Sequence, residues 1–514
     1  MEKYIELITF WFTHENLWFK AKPEDDQQIK EKFGDMIKDH PDLNTIIESN
    51  DYNLLLSNIL LYDQIIRHVY RGDQEKIKLL SIYSLKLSLH CIDNNLDQYF
   101  TPAQKCFILM PLRHTFELQF LEMAFSKVRS YQQEHPSPYY ERFIKATIKA
   151  MSPIKAHSIE PEEIDTSLSD EKILSTLDPE CVKNLTEITN IKKNDPIYKV
   201  FEIILKKLGN PKEVTISLSG GVDSMISSFI LYHLSKKQTL FKITAITIDY
   251  GNREDHLYEA EFVKRWCKLL DISHYIRHIT ELKRDRSNDR NDYEKITRQI
   301  RFDMYRRFGY PVFLGHNQGD CLENIINNIK KTRSCGNLRG MSEISMEEGC
   351  MIVRPMLDIT KKEIKEFAKT HKISHLPNST PSWSERGKIR DQLLPFMNNF
   401  DQAIVPGLLT MADNMKEMYD IYEKSVVNNF SKQIIYEDNK VTIQLSENAT
   451  EKEFGFIFWK DIMSHILKKI NLPMPSNDSI SAMIIRIKNL QYGKIQLSPK
   501  LELKYSKDSI VLFF

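Results

Sequence analysis

Along the first 150 residues apolar side chains recur every three or four positions, as in YNLLLSNILLYDQIIRHVY (52–70) and AQKCFILMPLRHTFELQFLEMAF (103–125), and glycine is nearly absent. That period keeps one helical stripe apolar and predicts an all-α region over residues 1–150. After Met151 the stripe dissolves into SPIKAHSIEPEEIDTSLSDE, rich in Pro, Ser and acids, so a linker is expected over 151–195. From 196 to 400 the period changes. Short β-branched runs (VTISLS, ITAITIDY, VFLGHN) alternate with amphipathic stretches, the pattern of a doubly wound α/β fold around a parallel sheet. Residues 401–514 begin helical and finish in the alternating segment GKIQLSPKLELKYSKDSIVLFF, which predicts a C-terminal α+β module. A fragment beginning near 190 is expected to fold alone, because the linker carries few core-like positions.

Composition narrows the class. A chain of 514 residues is long enough for two or three cores, and 41% hydrophobic with 27% charged residues excludes wholesale disorder. Formal net charge is only +1, so affinity for nucleic acid must come from a local basic surface. Seven cysteines (Cys91, Cys106, Cys181, Cys267, Cys321, Cys335, Cys350) form no C-x-x-C pair. That argues for a reducing compartment and against a zinc ribbon or iron–sulfur site. No run approaches the ~18 apolar residues of a membrane span, and Glu2, Glu6 and Glu15 interrupt the N-terminal apolar stretches, unlike a leader peptide. A cytoplasmic protein without a membrane partner is expected. Oligomeric state is not legible.

The chemistry begins in VTISLSGGVDSMISSFILYHL (214–234). A strand reaches Ser-Gly-Gly and turns into a helix, which makes an anion cradle: glycines let backbone N–H groups converge, and the helix N-terminus adds its dipole. Ser219 and Ser224 supply hydroxyls. Asp223 repels phosphate and suits a Mg²⁺ that bridges phosphates. The loop has neither the lysine of a Walker motif nor the spacing of a dinucleotide fingerprint. A tight turn with glycines for packing alone is the alternative.

Further strands supply more candidates. Asp249 ends one strand, and strand ends line the ligand crevice of a doubly wound sheet. Arg298 and Arg301 stand three apart on one helix, as do Asp320 and Glu323 after His316. Arg386 and Arg390 follow in SERGKIRDQLLP. Each has a plainer reading: His316 as a cap, the acids as helix N-terminal residues favoured by the dipole, the arginines as a solvated face. The basic stretch 277–301 is read equally as an RNA-backbone surface or a solvated loop.

The SGGVDS loop resembles the pyrophosphate-binding loop of the N-type ATP pyrophosphatases, the PP-loop superfamily with an adenine nucleotide α-hydrolase-like fold. The ordered set that follows resembles tRNA(Ile)-lysidine synthetases: an Arg-rich helix, GHN..D..EN, RP.LDI.K.EI and RG.IR...LP. The likeness covers about 196–514, and the C-terminal module is similar to that family's tRNA-contacting module. It implies an ATP-dependent ligase that adenylates the C2 carbonyl of a wobble cytidine and joins free lysine to it. It implies ATP and Mg²⁺ at Ser219, Gly220, Gly221, Val222, Asp223 and Ser224, with Asp223 on the metal and Asp249 and His316 near the nucleotide. Arg298 or Arg301 would neutralise charge on the α-phosphate; Asp320 and Glu323 would hold lysine, Arg386 its carboxylate, and Arg390 the tRNA. Asp223, Asp320, Arg298 and Arg301 are thus the candidate catalytic residues. The chain departs from the family at Gly319, which replaces an aspartate, at Gly387, and at the Pro377–Asn378 turn. A thiolation-type enzyme, whose usual paired cysteines are missing here, and a catalytically weakened RNA-binding scaffold are the alternatives.

Residues 4–135 resemble a bacterial helical domain family of unknown function, and the resemblance implies an all-α bundle similar to helical repeats. Trp11, Trp18, Asp63, Gln64, Arg67, Arg71, His114 and Glu117 match its recurring positions. Asp63 with Arg67, and His114 with Glu117, are spaced to pair on helices, and a buried polar network is the reading preferred over catalysis.

Overall fold

The computed structural model describes residues 2–20, 23–49, 51–162, 195–237, 241–253, 255–282, 290–331, 335–376, 385–445 and 453–514. Most of the expected linker, the centre of the basic 277–301 stretch and the Pro377–Asn378 turn lie outside them. The chain divides into two compact units. One comprises Met1–Leu314, Met346–Val353 and Ala368–Pro377, and the other Gly315–Ser345, Arg354–Phe367 and Asn378–Phe514.

The first unit opens with helices whose starts are written in their caps. Asp42, Asp51 and Asp73 accept from first-turn amides, and Thr101 and Gln104 form a reciprocal capping box. The apolar stripes meet around Trp11, Ile59, Leu60, Ile65, Ile108 and Leu109, all buried. The last helix of this set is Pro138–Ser158. It runs past 150 and into the segment expected as linker, because its stripe has somewhere to go. Ile148 and Met151 share a cluster with Leu121, Ile279 and Ile300, and Ala156 packs with Ile246, Phe302, Met304 and Tyr305. Ser152 Oγ donates to Asp303 Oδ2 at 2.5 Å, and Lys155 pairs with Glu281 at 3.1 Å. The N-terminal helices and the central sheet region are therefore welded by a common core, which the sequence reading did not foresee.

The sheet contains β1 (Glu213–Ser217), β2 (Lys242–Asp249), β3 (Ser273–His278), β4 (Val312–Phe313), β5 (Ile344–Glu347) and β6 (Cys350–Val353), in the order β3-β2-β1-β4-β6-β5. The pairs β1–β2, β2–β3, β1–β4 and β4–β6 are parallel. The order reverses about β1, so the end of this strand lies at a topological switch point, where doubly wound sheets bind ligands. Helix Val222–Lys237 follows β1, and Arg290–Phe308 precedes β4.

In the second unit, helix Gln318–Lys330 shares a core with Ile404–Tyr422 through Cys321, Leu322, Ile325, Leu409 and Ala412. Arg339 ties this packing together by donating to Asp358 and Asp413. The C-terminal module is α+β as expected. Five antiparallel strands, β7 (Ile434–Glu437), β8 (Lys440–Gln444), β9 (Gly493–Ser498), β10 (Leu501–Tyr505) and β11 (Ser509–Phe513), lie in the order β7-β8-β11-β10-β9. Helices Phe456–Lys469 and Asn477–Lys488 cover them with Trp459, Ile462, Ile466 and Met483. No helix among the described residues is long and apolar enough to cross a membrane.

Candidate functional site

The loop after β1 has the form the sequence predicts. Gly220 sits at φ +77°, and a Cβ there would fall 2.6 Å from Leu376 Cδ1, so the protein itself demands glycine. Its carbonyl accepts from the Leu376 amide at 2.9 Å, which pins the loop to a neighbouring segment. Gly221 is different. A Cβ at that position would meet nothing nearer than Ser219 Oγ at 3.6 Å, an ordinary contact. Among the described residues nothing requires glycine there.

Ser224 organises the turn. Its hydroxyl donates to the Gly221 carbonyl at 2.9 Å, accepts from the Ser219 amide at 3.2 Å, and lies 3.2 Å from Ser219 Oγ. Val222 and Asp223 begin the following helix, with Val222 buried and Asp223 half-buried in the first turn. One carboxylate in that place fits a Mg²⁺, which takes one or two protein carboxylates and completes its shell with phosphates and water.

Asp249, at the end of β2, is buried and carries partners that the sequence pattern did not single out. Its Oδ2 accepts from His256 Nδ1 at 2.8 Å and His278 Nδ1 at 2.7 Å, while Oδ1 takes the Gly251 amide at 2.9 Å. Burial pushes its carboxyl up, but these donors outweigh burial and hold it below the usual carboxylate range. The two histidines come from different elements, so no local spacing announces them.

Arg298 and Arg301 share a helix but not a role in the packing. The Arg298 guanidinium donates to Glu348 Oε1 at 2.7 Å and Glu347 Oε2 at 3.0 Å, and lies 4.4 Å over the Phe302 ring. Arg298 is thereby committed to the β5–β6 turn. Arg301 acts on Tyr305, whose hydroxyl donates to Ser217 Oγ at 2.8 Å at the end of β1. Burial pushes the Tyr305 phenol up to about 12, against the pull of the Arg301 charge. Of the two arginines, Arg301 is the one electrostatically tied to the strand that feeds the loop.

In the second unit, Asn317 caps helix Gln318–Lys330: its Oδ1 accepts from the Gly319 amide at 2.8 Å, and Asp320 Oδ2 accepts from the Asn317 amide at 3.0 Å. Asp320 is thus a capping-box residue, as the plainer sequence reading had it. A Cβ on Gly319 would fall 3.0 Å from Asn317 Oδ1, so glycine suits this tight cap. Glu323 is 4% exposed. Burial pushes its carboxyl up to about 7, Arg386 opposing and Asp320 reinforcing the rise. Arg386 Nε lies 3.3 Å from Glu323 Oε2, and Arg390 bonds its neighbour Asp391 at 3.0 Å while still adding positive field at Glu323. His316 Nδ1 accepts from Arg354 Nε at 3.2 Å, which leaves the ring proton on Nε2. Arg354 is itself buried and braced by the Ser342 carbonyl and Ser345 Oγ. It stands in the RP.LDI motif but was not singled out. So Asp320, Glu323 and Arg386 are brought together in this unit, and His316 is fixed by Arg354.

These features define the class: a doubly wound domain with a Ser-Gly-Gly phosphate loop at its switch point. The family model of the PP-loop domain matches residues 194–397, and that of a bacterial protein of unknown function (DUF924) matches 7–158. Over 251 residues the chain is 30% identical to the tRNA(Ile)-lysidine synthase of Chlamydia muridarum, covering 47% of this chain and 75% of that protein. The Staphylococcus aureus tRNA(Ile)-lysidine synthase is 27% identical over 248 residues, 46% of this chain and 56% of that protein. Among solved structures, a U34-tRNA thiolase from Methanococcus maripaludis superposes with a TM-score of 0.33 at 15% identity, over 46% of this chain and 78% of that one. The chain belongs to the tRNA(Ile)-lysidine synthase family, whose enzymes are ATP-dependent ligases built on a PP-loop domain.

Proposed function

We propose that this protein modifies tRNA by activating the C2 carbonyl of a wobble cytidine with ATP and letting the amine of free lysine displace AMP. The observation that carries the reading is Gly221, a glycine that no described neighbour requires, in a loop that leads into the N-terminus of helix Val222–Lys237. Close approach of phosphate oxygens supplies the missing reason. Membership of the family named above supports tRNA and ATP as substrates.

The C2 carbonyl is a poor electrophile because the ring nitrogens donate into it. Transfer of AMP to its oxygen, with pyrophosphate leaving, converts that oxygen into a leaving group. Attack by the amine then forms the C–N bond, AMP departs, and the ammonium proton passes to solvent or a nearby base. Ser219, Gly220, Gly221, Val222 and Ser224 hold the phosphates through amides and hydroxyls. Asp223 would hold Mg²⁺, which supplies charge neutralisation between phosphates. Arg301 stabilises charge on the α-phosphate, and Arg298 keeps the β5–β6 turn in place beside that helix. Asp249 and His316 serve the nucleotide, the first held rigid by two imidazoles and the second offering Nε2–H as a donor. Asp320 and Glu323 receive the lysine ammonium, Arg386 its carboxylate, and Arg390 a tRNA phosphate. The thiolation alternative is disfavoured by chemistry: Cys91, Cys106, Cys267, Cys321 and Cys350 are free and buried, and burial pushes the Cys321 thiol up to about 11, far from a nucleophilic thiolate.

The test is incorporation of labelled lysine into tRNA with ATP. AMP release that requires both tRNA and lysine, and is lost in Asp223→Asn, is expected. AMP release that needs no lysine would overturn the choice of nucleophile.

A further inference from the structure

In the N-terminal helical region, the run from Tyr52 to Val69 is interrupted at Leu61–Ile65 by a wider π-type turn. Such turns give up regular hydrogen bonding and concentrate at functional positions. This one carries Asp63, only 1% exposed. Its carboxylate collects His114 through Nδ1 at 2.8 Å, the Gln64 side-chain amide, and Arg67 Nη2 at 3.4 Å.

The charges around Asp63 do not balance. Arg113, next to His114, lies 4.9 Å over the Phe143 ring and has no carboxylate within ion-pair distance among the described residues. The adjacent His68 and Arg71 are different, since both are satisfied by Asp26. One buried carboxylate therefore serves two guanidinium groups and an imidazole. The donors are also incompletely used. Arg67 Nε is buried without an acceptor, and a buried donor left unpaired costs about 1–3 kcal/mol. Burial, with the Arg67 charge adding and Asp63 opposing, holds Arg113 below the ordinary arginine value. A second anion would relieve both conditions.

We propose that Asp63, Arg67, Arg113 and His114 form an anion site for a phosphate group, either the free ion or a phosphomonoester. Asp63 orients the imidazole and spaces the arginines rather than touching the ligand. Guanidinium forks match pairs of phosphate oxygens, and a phosphate offers three or more acceptor oxygens to two forks and an imidazole where a carboxylate offers two. Nothing in the ATP chemistry of the sheet uses these residues, so the N-terminal region carries a binding function of its own.

Calorimetric titration of the full chain with inorganic phosphate, AMP and acetate tests this. The loop at Ser219 is also a phosphate cradle, so the Ser219→Ala protein is titrated alongside. The expected result is saturable binding of phosphate, AMP or both that persists in Ser219→Ala and weakens at least about tenfold in Arg67→Gln and Arg113→Gln. Phosphate without AMP identifies the free ion; AMP lost in the same variants identifies the monoester. Arg67 is a third exposed, so Arg67→Gln decides the matter if Arg113→Gln fails to fold, judged by circular dichroism. Binding that is absent, that is unchanged in the arginine variants, or that acetate matches would overturn the proposal.

Discussion

At the residue scale, two adjacent glycines separate folding from chemistry. Gly220→Ala must place a Cβ against Leu376 and hold a strained positive φ, which together should cost several kcal/mol, on the order of 2–4. Gly221→Ala makes only an ordinary contact with Ser219 Oγ, so it is expected to leave stability within about 1 kcal/mol of wild type while lowering AMP formation at least about a hundredfold. Thermal melts beside a pyrophosphate-release assay check the pair, and a fully active Gly221→Ala would remove the phosphate role of the loop. Glu323 gives a pH signature. Its folded pKa, about 7, exceeds the ordinary 4.5, so the folded state binds more protons between those values and loses stability as pH rises through them. Glu323→Gln lacks that loss. It should be more stable than wild type at pH 8 by up to roughly 3 kcal/mol and nearly equal at pH 4.5, as urea titrations would show. Lysine binding has the opposite preference, because only the carboxylate attracts an ammonium. The half-saturating lysine concentration should rise about tenfold per unit below pH 7 in wild type, and a flat profile would count against Glu323 as the lysine group.

At the element scale, equal spacing on one helix concealed unequal surroundings. Arg298 and Arg301 both belong to Arg290–Phe308, yet the first is held by Glu347 and Glu348 and the second lies by Tyr305. Partly exposed ion pairs contribute little, so Arg298→Ala should cost about 1 kcal/mol or less in stability and only a few-fold in rate. Arg301→Ala should lower kcat by about a hundredfold or more with KM for ATP little changed, if it acts on charge that develops during transfer. Steady-state kinetics on both variants distinguish this from a merely structural arginine, whose loss would lower stability and leave kcat alone. The strand–loop–helix at Ser219 and the place of Asp320 in the first turn of its helix were legible because each is built from residues close in sequence; the cap itself is Asn317 rather than His316. The partners of Asp249 and His316 were not, since His278 and Arg354 arrive from distant strands.

At the scale of the whole molecule, the helix Pro138–Ser158 decides where one part ends. Ile279 and Ile300 are covered by Leu121, Ile148 and Met151. Uncovering two such side chains costs about 3–6 kcal/mol, a large share of a domain's stability. A fragment starting at 195 is therefore expected to be markedly less stable than the full chain, or insoluble, contrary to the expectation from linker composition. A fragment melting within a few degrees of the full chain would show that the shared core contributes little.

The sequence by itself determined the local elements, the two fold changes along the chain and the phosphate loop, because hydrophobic period, caps and glycine conformation act over a few neighbouring residues. It could also rank Ser219 to Ser224 as one chemical group. Tertiary structure alone decided that Gly220 serves the fold while no described neighbour excludes a side chain at Gly221, that Asp320 is spent partly on its own helix, and that burial pushes the Glu323 carboxyl up to about 7. It alone made the N-terminal helices part of the first unit's core. Burial and long-range pairing set these outcomes, and neither is a property of any one stretch of chain.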